Sequence, residues 1–296
     1  MKLLVSGLEG FTGRYIREEF SSSGWEVYGF GQRPRDVPGY YQAELHDLDA
    51  LRRMVQEVRP DVVIHLAGIA FPAHHTAIDF YNAHVTGTLN LLTVLAESGL
   101  KIRKVLLAST ANVYGANKDG ICTESAPLKP FNDYGVSKLA MEYMAWLWRE
   151  KLPIVIARPF NYTGVGQAPN YILPKIVSHF QSGKREIELG NLHVARDYSD
   201  VRDVARAYRL LVECPRSKGA VNVCSGHAVT ISQVLSIMNA IGGYEISVKT
   251  NPALVRKGEI ESLFGSRRRL EELVGPCPWR PLEETLTWMY RAGRAN

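Results

Sequence analysis

The chain has 296 residues, 46% of them hydrophobic and 22% charged, with a formal net charge of +5. That apolar content supports a sizeable core and excludes disorder, collagen-like repeats and low complexity. The positive excess is small and dispersed, with Arg267-Arg268-Arg269 its longest basic run, which argues against a nucleic-acid partner and leaves room for an anionic small ligand.

In chain order, Lys2–Ser6, Glu26–Phe30, Val62–Leu66, Lys104–Ser109 and Ile154–Ala157 are β-branched or leucine-rich runs that read as buried strands. Between them the patterning predicts helices over 12–23, 48–58, 80–98 and 134–149, with Leu89, Leu92, Val94 and Leu95 on the core-facing side of the third. Strands separated by helices predict an α/β fold with a doubly wound parallel sheet over residues 1–160. After Arg158-Pro159 the rhythm loosens and prolines recur, so 161–296 reads as a smaller, less regular region, with 220–225 as a strand able to rejoin the main sheet. The four cysteines form no CxxC pair and the histidines show no ligand spacing, so neither a disulfide framework nor a metal site is expected. The opening Met-Lys-Leu-Leu-Val-Ser-Gly has too few apolar residues for a secretory signal, and no run approaches the ~18 of a membrane span. A soluble, cytoplasmic protein without a membrane partner is the expectation.

Gly7, Gly10 and Gly13 follow the first strand and open the first helix. There a glycine permits the tight turn, another lets backbone approach a pyrophosphate, and another lets helix and strand pack closely, while the helix N-terminus offers unpaired N–H groups to an anion. The spacing predicts a dinucleotide site. At the end of the second strand, Tyr28-Gly29-Phe30-Gly31-Gln32-Arg33 holds no acid to bind a ribose 2′-hydroxyl. Arg33, with Arg35, is placed to meet a 2′-phosphate instead, unless both are ordinary loop arginines. NADP is therefore the expected cofactor and NAD the alternative.

Tyr134 and Lys138 form a YxxxK pair on one face of a predicted helix. An ammonium beside the phenol, with a nicotinamide cation nearby, favours phenolate, so the pair predicts a tyrosine pKa lowered towards working pH, able to move a proton at a sugar oxygen while hydride passes at the same carbon. Upstream, Ser109-Thr110 end a strand with two hydroxyls, either of which could hydrogen-bond the reacting carbonyl.

With these features, Ile64-His65-Leu66-Ala67-Gly68, Asn82 with Gly87-Thr88, Ala157-Arg158-Pro159-Phe160-Asn161, Arg196-Asp197-Tyr198 and Asn222-Val223-Cys224-Ser225-Gly226 make the chain resemble the extended short-chain dehydrogenase/reductases of the NAD-dependent epimerase/dehydratase family, which act on nucleotide sugars. The resemblance implies a Rossmann domain followed by a nucleotide-sugar domain, with the site in the cleft between them. It implies Tyr134 as acid/base, Lys138 as its partner and Thr110 as the third catalytic hydroxyl. Cofactor contacts are implied for Gly7, Gly10, Phe11, Thr12, Gly13, Leu66, Ala67, Gly68 and Asn82, besides Tyr134 and Lys138. Asp47 and Leu48 match the adenine-side pair, although Asp47 could equally cap the following helix. Substrate contacts are implied for Thr110, Asn161, Arg196 and Arg256, with a loop cap and a local Arg196-Asp197 ion pair as the plainer readings of Asn161 and Arg196.

Dehydratases of this family carry an acid just after the catalytic threonine, and Ala111-Asn112 stands there, which disfavours dehydration. The glycine loop, His65–Gly68 and Ala157–Asn161 are most similar to reductases of GDP-4-keto-6-deoxymannose that form GDP-rhamnose. The expected activity is reduction of the C4 keto group of a GDP- or dTDP-linked 4-keto-6-deoxy-hexose, with an NAD-dependent C4-epimerase as the alternative. A homodimer is expected through the 80–98 and 134–149 helices, with Leu91, Met141 and Trp148 as apolar candidates.

Overall fold

A computed structural model describes residues 1–69, 76–116, 120–255 and 260–293. The first half runs β1 (Lys2–Ser6), α1 (Phe11–Ser22), β2 (Glu26–Gly31), β3 (Tyr40–Gln42), α2 (Leu48–Val58), β4 (Val62–His65), α3 (Ala77–Tyr81), α4 (Gly87–Glu97), β5 (Lys104–Ala108), β6 (Ile121–Cys122), α5 (Asp133–Trp146) and β7 (Ile154–Pro159). The second half supplies β8 (Asn161–Thr163), α6 (Ile172–Gln181), β9 (Glu186–Leu189), β10 (Ala195–Asp200), α7 (Val201–Glu213), β11 (Gly219–Val223), β12 (Ala228–Thr230), α8 (Ile231–Gly242), β13 (Ser247–Thr250), β14 (Ser262–Gly265), α9 (Arg268–Val274) and α10 (Leu282–Ala292).

Seven strands form a wholly parallel sheet in the order β11-β7-β5-β4-β1-β2-β3. Alternation along the strands sorts its two faces. Leu3, Val5, Ile64 and Leu106 pack against α1 and α7, whereas Leu4, Val63, Val105 and Leu107 pack against α2, α4 and α5. Because both faces are covered, these runs are apolar at every position rather than at every second one. Chain order reverses between β1 and β4, which opens a crevice beyond their carboxyl ends, the customary ligand position in such sheets.

The chain does not divide simply at residue 160. Helix α7 and strand β11 return to the large sheet, and β11 pairs with β7 from Gly219↔Val155 to Val223↔Pro159. In the other direction β6, from the first half, pairs with β14 in a smaller sheet of β12, β10, β14, β6 and β8. Helices α6, α8 and α10 share a separate core around Ile176, Phe180, Val234, Met238 and Leu286. Buried carboxylates join these parts. Asp200 caps α7 through Arg202 N (2.8 Å) and accepts from Thr285 Oγ1 of α10 (2.8 Å). Asp197 accepts from the backbone N–H groups of Ser225 (2.9 Å) and Gly226 (2.8 Å), so it holds the turn after β11 and not Arg196.

The predicted helix over 80–98 is two helices joined through a π turn at Asn82–Thr86. Leu89 lies on its solvent side, 38% exposed, while Leu91 joins Leu92, Val94 and Leu95 in the core. Leu91 and Met141, expected at a dimer surface, are both fully buried and Trp148 is half-buried. The exposed apolar residues of α5 are instead Val136, Tyr143 and Trp146, with Leu147 just beyond its end.

Candidate active site

The glycine loop lies at the crevice. Gly7 adopts φ +73°, and its N–H bonds Phe30 O (2.9 Å), tying the turn to β2. A Cβ at Gly13 would fall 2.3 Å from Leu8 O, so only glycine lets α1 pack on the turn that launches it. No side chain caps the α1 N-terminus, and Gly10 serves as N-cap, which leaves its first-turn N–H groups facing outward. Ser6 Oγ accepts from Leu66 N (3.1 Å) and Ala67 N (3.0 Å), locking the Leu66-Ala67-Gly68 turn beside the loop. From the small sheet, Tyr162 stacks on Phe11 (6.1 Å, 11°) and its hydroxyl meets Thr12 Oγ1 at 2.8 Å. These residues form a continuous cradle whose glycines leave backbone, not side chains, against a ligand.

At the far end of β2, Gly31 stands where an acid is absent, and a Cβ there would lie 2.6 Å from the Tyr40 hydroxyl. Tyr40 donates that hydroxyl proton to Arg33 O (3.2 Å), which leaves the Arg33 side chain exposed. Arg35 lies 3.7 Å from Glu9 of the glycine loop, and Arg17 lies 3.3 Å from the same carboxylate. Asp47 does cap α2, accepting from Ala50 N at 2.9 Å, with Leu48 opening that helix.

Tyr134, Lys138 and Thr110 come together at the carboxyl end of β5. Asn132 caps α5 by accepting from Gly135 N (2.8 Å), which brings Tyr134 into the first turn. The Thr110 hydroxyl faces the Tyr134 phenol and favours its ionised form. Ser109, the other strand-end hydroxyl, donates to Glu142 instead, so only one of the pair faces the site. Lys138 is buried and donates to Ala108 O at 2.8 Å. The protein's own groups do not by themselves lower the tyrosine pKa. Burial pushes the Tyr134 phenol well up, the phenols of Tyr162 and Tyr171 push the same way, and the Thr110 hydrogen bond opposes them without prevailing. Lys138, whose proton is directed at a carbonyl, is itself pushed down to about 8 by burial, against the pull of Glu142.

The remaining expected residues are more scattered. Asn82 is exposed at the start of the π turn, and the side chain which that turn carries to Tyr134 is His84, with ring centroids 5.6 Å apart. Asn161 is exposed at the start of β8, beside Tyr162. Arg196 donates to the carbonyls of Ala195 (2.8 Å) and Ile260 (2.7 Å). Arg256 lies outside the described residues, as do His74 and His75. Four residues around Tyr134 and Lys138 escaped the sequence reading: His84, Ser137 and Tyr162, and Glu142 beyond Lys138. Only Glu142 left a local signal, a carboxylate one turn beyond Lys138 on an otherwise apolar helix face.

The family model for the NAD dependent epimerase/dehydratase family matches residues 3–224. A GDP-6-deoxy-D-talose 4-dehydrogenase of Aggregatibacter actinomycetemcomitans is 31% identical, over 93% of this chain and 92% of its own length. A GDP-6-deoxy-D-mannose reductase of Pseudomonas aeruginosa is 30% identical, over 98% and 95%. Among solved structures, a Burkholderia cenocepacia J2315 protein provisionally called an epimerase is 44% identical with a TM-score of 0.94, covering 100% of this chain and 98% of that one. RMD from P. aeruginosa, complexed with NADPH, is 28% identical with a TM-score of 0.87 over 99% and 97%. The glycine cradle, the parallel sheet and these matches lead to one conclusion: the chain belongs to the NAD-dependent epimerase/dehydratase family.

Proposed function

We propose that this protein reduces the C4 keto group of a nucleotide-activated 4-keto-6-deoxy-hexose with NADPH. The observation that carries the reading is the placement of Tyr134 one helical turn from Lys138 and beside Thr110, at the mouth of the glycine cradle. The uncapped α1 N-terminus and the side-chain-free glycines fit a dinucleotide pyrophosphate. When bound, the dihydronicotinamide supplies a hydride to C4. Tyr134 gives its proton to the C4 oxygen as that oxygen gains charge, and Thr110 holds the same oxygen by a hydrogen bond. Lys138 stabilises the phenolate left behind. The relatives named for 6-deoxy-hexose oxidation and reduction support this chemistry. The residue after Thr110 is Ala111, buried at the start of a 3₁₀ turn, so no carboxylate stands there to remove a C5 proton.

The NADP preference rests on Gly31 and the arginines beyond it, and the substrate contacts on Asn161, Arg196 and Arg256. The reading includes a homodimer, a second copy covering Tyr143, Trp146 and Leu147, which are 64%, 52% and 76% exposed. The C4-epimerase reading is favoured by the 44%-identical protein called an epimerase.

Turnover separates the two chemistries. With NADPH and a panel of GDP-, dTDP- and UDP-4-keto-6-deoxy sugars, absorbance of the reduced nicotinamide should fall stoichiometrically with product. Interconversion of C4 epimers without net cofactor consumption would make the protein an epimerase. Tyr134→Phe should lose roughly 10²–10⁴-fold in kcat with cofactor affinity nearly intact; a variant keeping half the parent rate would remove Tyr134 from the mechanism.

The pH profile tests Lys138. Its pKa lies at about 8 rather than the ordinary 10.5, so it is charged below that pH and neutral above it, whereas Tyr134 keeps its proton throughout. The kcat for reduction should hold steady from pH 6 to 8 and then decline. A depressed lysine pKa makes the folded state gain stability as pH rises from 8 towards 10.5, so Lys138-linked unfolding cannot produce the decline. A profile flat to pH 10 would show that the charge is not needed.

Cofactor choice is tested by titration. An arginine–phosphate hydrogen bond contributes roughly 1.5–3 kcal/mol, about 10- to 150-fold, so NADPH should bind at least tenfold tighter than NADH. Arg33→Ala should shrink that ratio. Should Arg35→Ala shrink it instead, Arg35 is the phosphate ligand, released from Glu9. Reversal by Gly31→Asp requires room, and pairing it with Tyr40→Phe removes the hydroxyl 2.6 Å away and leaves the next ring atom at 3.8 Å. Equal affinities in the parent would refute an NADP preference.

Sedimentation tests the assembly. The parent should run at twice the chain mass at micromolar concentration, and Leu147→Glu combined with Trp146→Glu should run as a monomer. A monomeric parent would rule the dimer out.

A further inference from the structure

His84 sits on the π turn between α3 and α4, fully buried beside the Tyr134 ring. Ile69 N donates to its Nε2 (3.2 Å), so that nitrogen carries the lone pair and the ring proton is on Nδ1. Nδ1 therefore donates to Ser137 Oγ (2.9 Å), and the Ser137 hydroxyl donates to the backbone carbonyl of Tyr134 (2.9 Å). Burial and the nearby Lys138 charge push the histidine pKa down to about 2, which keeps this tautomer neutral across working pH.

The ring also touches the site sideways. It meets Tyr134 edge to face (5.6 Å, 78°), and Phe80 packs on both rings, 5.9 Å from His84 and 6.1 Å from Tyr134. On its other side a Cβ at Gly68 would come within 2.8 Å of the imidazole and 3.6 Å of Lys138 Nζ, so glycine is what lets the turn beside the cradle close on both residues. Behind it Thr88 Oγ1 donates to His84 O (2.6 Å) and contacts His65 Nε2 (2.9 Å), and His65 Nδ1 contacts Ser6 Oγ (2.6 Å) at the end of β1. A chain of buried polar groups thus runs from the glycine-loop strand to the helix of Tyr134 and Lys138, and His84 is the joint where the Gly68-Ile69 turn, the phenol ring and α5 meet.

We propose that His84 is a positioning residue for the reaction, holding the Tyr134 ring and Lys138 against the Gly68-Ile69 turn through Ser137 and through direct ring contact. It forms no contact with reacting atoms and acts through Tyr134 and Lys138. The proposal rests on the reading of those two as proton donor and partner, and parent turnover tests that reading separately.

The test compares His84→Phe, His84→Asn, Ser137→Ala and the double variant His84→Phe/Ser137→Ala with the parent, each assayed at saturating NADPH and accompanied by a thermal melt. His84→Phe keeps an aromatic edge but loses both hydrogen bonds, and its kcat should fall roughly 10- to 100-fold, the scale of a misplaced reacting group, with KM for the sugar within about threefold. His84→Asn, able to restore one of the two bonds, should recover part of that rate. Because His84 and Ser137 act along one line, the double variant should lose no more than His84→Phe alone. If His84→Phe does not fold, the same cycle is run with His84→Asn. An unchanged kcat, a loss confined to KM, or losses that multiply in the double variant would each overturn the proposal. Should the parent epimerise rather than reduce, the function reading fails, and these ratios are read in epimerisation.

Discussion

One buried carboxylate holds the candidate site in place. Glu142, a turn beyond Lys138 on α5, receives Arg158 Nε at 3.0 Å and Arg158 Nη2 at 2.5 Å from the end of β7, and Ser109 Oγ from the residue before Thr110. Arg158 in turn donates to the Tyr114 hydroxyl (3.0 Å), which donates to Asn222 Oδ1 on β11 (2.6 Å). The ends of β5, β7 and β11 are thereby fastened to the helix that carries Tyr134 and Lys138. Such a pair adds little net stability over an apolar replacement, because both charges must be desolvated, but removing one partner typically costs about 3–5 kcal/mol. Its contribution is to geometry. A purely apolar contact would let α5 slide on the sheet, whereas a fully satisfied carboxylate allows a single seating.

That seating explains why the large sheet borrows from both halves of the chain. Asn222 arrives on β11, from beyond the small sheet, and is held by Glu124 through its N–H (2.8 Å) and by Cys122 O through its amide (2.9 Å). The segment after Thr110 therefore closes over the same network that α5 closes from the other side. Tyr162, reaching back to Thr12, and Asp197, clasping Ser225 and Gly226, make the corresponding joints at the cradle and at the small sheet. The cradle, the helix of the phenol and the small sheet are linked by side-chain hydrogen bonds over long sequence separations, and Tyr114 and Tyr162 carry these links into the apolar clusters.

This distribution decides what could be read in the chain beforehand. The central strands were legible because burial on both faces leaves a local trace, an uninterrupted run such as Val62-Val63-Ile64. The glycine loop and YxxxK were legible because backbone sterics and helical spacing are local too. β10 was not, for Ala-Arg-Asp-Tyr-Ser-Asp reads as a surface strand until Asp197 and Asp200 find Ser225 and Thr285, partners far along the chain. β3 is three residues of an edge strand, too short for any period. Leu89 was placed inside on its spacing to Leu92, but the buried face of α4 centres on Leu91 and Leu95, and at about 100° per residue Leu89 falls on the opposite side. His84 carried no local signal, since its burial depends on Ile69 and Ser137, which no spacing brings together.

The pKa of the phenol shows the same limit with a chemical consequence. Proximity of a lysine at i+4 suggests a lowered tyrosine, but burial of the phenol, with the phenols of Tyr162 and Tyr171 acting the same way, raises it while Lys138 directs its proton to Ala108 O. A phenol so held is an acid waiting for a base. It can release its proton only to an oxygen that is gaining negative charge inside the same enclosure, which is the condition at C4 when a keto group takes up hydride. Oxidation of an alcohol asks the opposite, a phenolate ready to accept a proton, which the positive charge of an oxidised nicotinamide bound in the cradle would favour, so burial of the phenol does not by itself choose between the two directions.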